Sequence, residues 1–421
     1  MGDSRPTSSA AMRALIVLTT INLLNYLDRY LIPPLLPDLE SAMKLSHAQS
    51  GWLWSAFMLV YMVTAPVFGA LGDRTSRTRP IAIGALIWSA ATVLSGLART
   101  YPQLFAARAL VGVGEAAYVA IAPALLADCF AVEARGRVFA VLNMAIPVGA
   151  ALGFICGGLI GQHFGWRAAF FVCGIPGAIM ALAVLWLPDP PRGAQEGGAP
   201  AAPKKLRGSA VLNALKVYLS LLMRGPYMLL VLGYAAYTFG LGALGVWMPS
   251  FLERVRGIPV QTATTGFGII VVVTGILGTF IGGWLGDYCL KRSRQGYLWF
   301  CGVVTLAAAP FAVLALTASA PHVFYPAVVI SELLLFMSTG PINAAIANVV
   351  SPLERASAIA LSMFAIHLLG DVPSPPLIGY LADVGSLQRA VLLVPVAIVI
   401  GGIIWLAAAV IGSHRKRVSP A

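Results

Sequence analysis

The chain has 421 residues and a formal net charge of +12, with hydrophobic residues at 59% of positions and charged residues at only 10%. Its mean hydropathy of +0.84 and its low charge exclude an ordinary soluble domain, which carries about 25% charged residues. Continuous apolar runs of about 20 residues, enough to cross about 30 Å of hydrocarbon as a helix, recur along the chain and exclude a barrel of alternating strands of about ten residues.

An all-α membrane protein is therefore expected, with twelve transmembrane helices near residues 11–34, 50–72, 80–97, 101–128, 134–161, 167–188, 226–252, 263–286, 296–318, 323–348, 355–380 and 386–412. The first follows Arg13 as a signal peptide would, but it runs on through Asn25, Asp28 and Arg29 without a small-residue cleavage site and reads as a retained helix. The second closes on Gly69-Ala70-Leu71-Gly72-Asp73, followed by Arg74, Arg77 and Arg79. The fourth carries Arg108 and Glu115, seven residues apart, which places both on one face about 10.5 Å apart along the axis. Gly112 and Gly114 leave that face open to a neighbouring helix or a ligand. Within the same helix, Gly112-Val113-Gly114-Glu115-Ala116-Ala117 fits a dinucleotide-binding pattern, but no strand precedes it, so that reading fails.

Arg135 opens the fifth helix, where glycines 149, 153, 157 and 158 permit close helix contact. Residues 189–224 break the apolar pattern with Asp189-Pro190-Pro191-Arg192 and a basic cluster, and read as a linker. Beyond it the pattern repeats. Gly283-Trp284-Leu285-Gly286-Asp287 echoes Gly69–Asp73 at an offset of 214, Arg355 echoes Arg135 at 220, and Leu377-Ile378-Gly379 echoes Leu159-Ile160-Gly161 at 218. The expected organisation is a six-helix bundle over 1–188, a linker over 189–224 and a second bundle over 225–421. Parallel repeats of this kind place a substrate site between the halves near the bilayer midplane. Pro373, Pro375 and Pro376 predict a bent or broken eleventh helix.

The basic residues follow membrane topology rather than a nucleic-acid surface. With both termini on one side, that side collects 20 of the 28 Lys and Arg, the other side holds six, and Arg29 and Arg108 remain inside helices. The positive-inside rule then puts both termini in the cytoplasm. Ionisable groups inside the bilayer cost about 2.5 to 3.5 kcal/mol each even on the lenient insertion scale, so each one points to a pathway. Asp28 and Glu115 are the expected proton-coupling carboxylates, subject to opposing effects of desolvation and arginine pairing, and Arg29 and Arg108 are the expected holders of an anionic substrate. The alternative is a structural salt-bridge network clamping the first and fourth helices. Tyr26, Tyr61, Tyr118 and Trp247 join the expected substrate-binding set as aromatics suited to an amphipathic ligand, together with His367, which could titrate or make a fixed hydrogen bond. Glu332, His367 and Asp371 form a smaller polar set in the second half.

The string GALGDRTSRTRP from Gly69 to Pro80 resembles the signature loop of the major facilitator superfamily. NYLDRY from Asn25, RALVGVGEAAYVAIAPALLADCF from Arg108, EARGRVFAVLNMAIPVGAALGF from Glu133 and HLLGDVPSPPLIG from His367 are together similar to its spinster branch. The resemblance implies two six-helix bundles related by a pseudo-two-fold axis, and roles for the acidic and basic positions of the first and fourth helices. It further implies a lysophospholipid or sphingoid phosphate as substrate, a monomer, and, since animal members have longer amino-terminal tails, a bacterial inner-membrane protein. Gly69, Asp73, Arg74, Arg77, Arg135, Asp287, Arg292 and Arg355 form the expected gating set.

The five cysteines lack CxxC spacing, so neither zinc nor a disulfide framework is expected, and no GxxxxGK[ST] loop offers ATP as an energy source. The five histidines lie on different segments, which gives catalysis little support. The expected function is secondary active, proton-coupled transport of an amphipathic anion by alternating access, without cofactor, metal or nucleic acid. Small organic anions or drugs are alternative substrates, and a transporter-shaped receptor is an alternative role.

Overall fold

The computed structural model describes residues 8–72, 75–131, 134–192, 216–351 and 354–414, and among these it contains helices and no strand. Twelve spans are long and apolar enough to cross a membrane: Ser9–Met43, His47–Gly72, Thr78–Leu97, Tyr101–Cys129, Arg137–Phe164, Trp166–Val184, Gly225–Arg254, Val260–Arg292, Gly296–Thr317, Pro321–Val349, Ser357–Val384 and Leu387–Ser413. The protein is an integral membrane protein, and large apolar side chains such as Val63, Val67, Phe280 and Trp284 are exposed on its spans, where hydrocarbon takes the place of water.

The first span departs from the predicted end near residue 34. It is two helices, Ser8–Arg29 and Ile32–Met43. Pro33 and Pro34 have no N–H to give to the carbonyls of Arg29 and Tyr30, which ends the first helix, and prolines in the opening turn of the second are tolerated because those N–H groups would be unpaired in any case. The break lies directly after Asp28 and Arg29. The tenth span is likewise split, into Pro321–Met337 and Thr339–Val349, ahead of Pro341. The eleventh is broken, as its prolines predict: Arg355–Ile366 leads into a π turn, His367–Asp371, and then into Ser374–Val384. The Val372 N–H reaches back five residues to the His367 carbonyl at 3.0 Å, and Gly370 lets this wide turn lie against the seventh span, where a β-carbon would sit 2.8 Å from the Ala235 carbonyl.

The chain forms two compact units. One holds Met1–Leu45, Trp52–Lys205 and Pro259–Gly268; the other holds Ser46–Gly51, Leu206–Ile258 and Ile269–Ala421. In the first, the fifth-span glycines face the first span: a β-carbon at Gly149 would lie 2.6 Å from the Leu23 carbonyl and one at Gly153 2.9 Å from Tyr30. Close backbone approach of two helices requires glycine here. Gly112 and Gly114 do the same for the fourth span, the former against Phe57 and Tyr61 of the second span and the latter against Gly84 and Trp88 of the third. A neighbouring helix, and not an open face, accounts for both.

In the second unit, the Asp383 carboxylate accepts the backbone N–H groups of His47 at 2.8 Å and Ala48 at 2.9 Å. It thereby caps the second span with an acid supplied by the eleventh. A repeat signature survives in three dimensions. The Arg135 Nε donates to the Ala127 carbonyl at 3.1 Å, and the Arg355 Nε donates to the Ala347 carbonyl at 3.0 Å, each reaching eight residues back.

Candidate functional site

Four ionisable side chains meet inside the first unit. Asp28 and Glu115 are 0% exposed, Arg108 2% and Arg29 7%. They pair crosswise between the first and fourth spans: Arg29 Nη2 donates to Glu115 Oε2 at 2.8 Å, and Arg108 Nη1 lies 3.5 Å from Asp28 Oδ2. Adjacent residues on one helix point about 100° apart, so Asp28 and Arg29 cannot satisfy each other and each takes the opposite charge from the fourth span. Neither pair saturates its members. Asp28 Oδ1, Glu115 Oε1, Arg29 Nε and Arg108 Nε are buried without a hydrogen-bond partner. Buried polar atoms are normally paired, and a cluster of exceptions marks a place where something else binds or where a charge moves.

Rings enclose the Arg29 guanidinium. Its Cζ stands 4.7 Å from the centre of the Tyr26 ring, 4.9 Å from Phe57 and 5.2 Å from Tyr61, and Arg108 lies 6.0 Å from Phe57. These aromatic faces hold a cation whose own acid partner uses one of its nitrogens. Tyr26 and Tyr61 therefore sit in the site through Arg29. Tyr118 is differently placed: it is 2% exposed, and its hydroxyl donates to the Leu18 carbonyl at 2.7 Å, pinning the fourth span to the first.

Two groups escaped the sequence reading. The Thr92 hydroxyl of the third span donates to Asp28 Oδ2 at 2.9 Å. Asn25, 0% exposed, has both amide atoms unpartnered one turn before Asp28 and Arg29. The signals were present: Ser89, Thr92 and Ser95 recur at three-residue steps in an apolar helix, and Asn22, Asn25 and Arg29 form a polar stripe at helical spacing.

The other expected residues lie elsewhere. In the second unit the Trp247 Nε1–H donates to the Pro375 carbonyl at 3.0 Å, and its ring meets His47 edge-on at 5.7 Å. His367 Nδ1 lies 3.0 Å from the Asp371 carboxylate within the π turn. Glu332 is 3% exposed and faces a cavity of about 10 Å³ lined by Leu244, Met248 and Ser331, at the lower edge of what holds one water. Among the described residues no arginine or lysine forms an ion pair with it.

Of the expected gating set, Asp73 and Arg74 lie outside the described residues. Arg77 is clasped: its guanidinium contacts the Asp128 carboxylate and the Pro190 carbonyl and donates from Nε to Asp189 Oδ1 at 2.8 Å, while its backbone N–H donates to Asp189 Oδ2 at 2.9 Å. Burial alone would push the Arg77 guanidinium down, but the hydrogen bonds to Asp128 and Asp189 outweigh it and raise its proton affinity further. Gly69 and Arg192 line a cavity of about 270 Å³ beside this clasp, and Arg192 donates to the Gly72 carbonyl at 2.6 Å. Asp287 accepts the Tyr297 hydroxyl at 2.6 Å, and Arg292 stacks on Tyr288 at 4.5 Å.

Twelve spans in two compact units, with a crosswise pair of buried ion pairs, define a membrane transporter. The sequence model of the Major Facilitator Superfamily matches residues 18–373. The sphingosine-1-phosphate transporter SPNS2 of Xenopus tropicalis is 33% identical over 95% of this chain and 82% of its own length, and the protein spinster homolog 1 of Bos taurus is 36% identical over 89% and 74%. The chain belongs to the major facilitator superfamily and, within it, to the spinster branch. Its fold matches a crystal structure of a bacterial homolog to the human lysosomal transporter spinster, in an inward-facing and unoccupied conformation, with a TM-score of 0.85 at 23% identity, covering 99% of this chain and 100% of that one. The nucleoside transporter NupG shares the fold at a TM-score of 0.72 and 14% identity, over 94% and 98% of the two chains.

Proposed function

We propose that the protein is a proton-coupled secondary transporter of an amphipathic anion, a lysophospholipid or a sphingoid phosphate, working by alternating access between bundles at 1–188 and 225–421 joined by the linker 189–224. The observation that carries this reading is the pair of incompletely satisfied ion pairs, Asp28–Arg108 and Arg29–Glu115. An incoming phosphate competes with Glu115 for Arg29 and offers that guanidinium more acceptor oxygens. The displaced carboxylate is left buried without its cation, and a proton neutralises it. Anion binding and proton uptake are thereby linked. Departure of the anion returns Glu115 to Arg29 and releases the proton. Asp28 and Arg108 act as the second, looser pair, with Asn25 as an uncharged hydrogen-bonding group beside them. The name of the SPNS2 relative supports a lipid phosphate as cargo.

The clasp at Arg77 and the loop arginines 135 and 355 form the gate on the arginine-rich face, and the excess of Lys and Arg supports a cytoplasmic side for that face. The protein works as a monomer in this reading. The test is flux of a labelled sphingoid phosphate into proteoliposomes with and without an imposed pH gradient. Gradient-dependent uptake lost in Asp28→Asn or Glu115→Gln supports the proposal. Uptake of small organic anions or drugs in place of the lipid discards the lipid assignment, and flux indifferent to the gradient discards proton coupling.

A further inference from the structure

The arginine-rich ends of the two units are built alike and finished differently. The matched loops, in which Arg135 reaches Ala127 and Arg355 reaches Ala347, set an offset of 220 residues, so Asn348 occupies the place of Asp128. Arg77 stands at the N-cap of the third span, and the residue at the N-cap of the ninth is Gln295. Both ends carry a cavity, but in the first unit the guanidinium and carboxylate that line it neutralise each other, with Asp189 as a second acid on Arg77. In the second unit Gln295 and Asn348 stand in those two places, and the cavity they line, about 140 Å³ and several times the space one water needs, has no such clasp.

Arg294, Gln295 and Asn348 supply its polar lining, and Leu229, Leu298 and Ile411 are among its apolar walls. Arg294 is exposed, and no ion pair joins it to any described carboxylate; the nearest acid in sequence, Asp287, takes the Tyr297 hydroxyl. Lys291 and Arg292 precede it, and Arg415, Lys416 and Arg417 follow the twelfth span in the sequence. The lining thus presents hydrogen-bonding amides and one cation without a described acid partner, beside an apolar wall.

We propose that this cavity binds an anionic phospholipid of the leaflet on the arginine-rich side, its phosphodiester on Arg294 with Gln295 and Asn348 as hydrogen-bonding neighbours and its acyl chains against the apolar walls. The lipid anion supplies the negative charge that Asp128 and Asp189 supply within the first unit. Basic pockets between helices at this depth suit such headgroups. The site lies wholly within the second unit and uses none of the four charges assigned to transport.

The test compares purified full-length protein in detergent with added phosphatidylglycerol, phosphatidylcholine of the same chains, or inorganic phosphate, reading the thermal midpoint and, by native mass spectrometry, retained lipid. Phosphatidylglycerol alone should raise the midpoint and leave a bound adduct. Arg294→Gln should weaken that binding about tenfold, the loss of one charge-assisted contact. Asn348→Asp provides a variant expected to stay folded: it restores the acid of the first unit beside Arg294, and the response to phosphatidylglycerol should disappear while the midpoint without lipid holds or rises. Equal effects of the two lipids, an equal effect of inorganic phosphate, or an adduct unchanged in both variants overturns the proposal. So does a response abolished by Arg29→Gln and retained in Arg294→Gln, which would place the lipid in the transport site.

Discussion

The two units treat buried charge in opposite ways. In the first, two carboxylates and two arginines lie at 0% to 7% exposure and neutralise one another in crossed pairs. In the second, Glu332 is nearly as deeply buried and has no cation among the described residues, and the ion pair of His367 with Asp371 is local to a single broken helix. A crossed network couples two helices and can exchange partners; a solitary acid can only gain or lose a proton. The units share a fold, and under the proposed mechanism the difference gives charge exchange to the first.

The largest test of that contrast is Arg29→Gln. It strands Glu115 in a dry site, and loss of one partner from a buried pair costs about 3 to 5 kcal/mol. The thermal midpoint should fall sharply and flux should vanish, whereas adding Glu115→Gln should restore much of the stability and none of the flux. Equal midpoints for the single and double variants would mean that the pair is not coupled. Next is Arg77→Ala, which leaves Asp128 and Asp189 without their common partner and should cost about 1.5 to 3 kcal/mol, the range for hydrogen bonds to charged groups. Its counterpart Gln295→Ala should change stability by no more than about 0.5 kcal/mol. Chemical denaturation of both variants measures the asymmetry of the two ends directly.

Glu332→Gln should leave the midpoint at or above that of wild type, since no cation loses its partner. A drop as large as that of Arg29→Gln would show a hidden partner and erase the contrast. The smallest effect belongs to the surface pair of the second unit. Arg224 donates to both oxygens of Glu354 at 2.7 Å, and these hydrogen bonds, with one from Ser351, hold its carboxyl down at about 2. A depressed carboxyl stabilises the fold above its unfolded value of about 4.3, and that contribution disappears as pH falls through about 2. The midpoint difference between wild type and Glu354→Gln should therefore be slight at neutral pH and absent in strong acid.

Much of this was legible before any coordinates. Length and apolarity set the twelve spans, and the spacing of Arg108 and Glu115 put both on the face that meets the first span. Sequence could not reveal the pairing itself. Which acid takes which arginine depends on the rotation of the first span relative to the fourth, and that follows from backbone contacts at Gly112, Gly114, Gly149 and Gly153. The first span runs past its expected end near residue 34 because Pro33 and Pro34, which end one helix, also sit in the opening turn of the next. Asn25 and Thr92 were given no role because their polar stripes, visible in the sequence, do not show which buried charge each would meet. Arg77 was expected in the gating set; that Asp128 and Asp189 would be its partners required the fold.

The cap on the second span has a consequence in time. His47 and Ala48 offer their N–H groups to Asp383, 336 and 335 residues further along the chain. At about 5 to 20 residues per second, the ribosome delivers that carboxylate roughly 17 to 67 seconds after the helix start it serves. Through that interval Ser46 and Gln49 cap the helix start locally, while the His47 and Ala48 N–H groups are left to water or lipid headgroups. The Asp383 contact arrives only after the eleventh span has been made, so the opening residues of the second span mature long after they are synthesised.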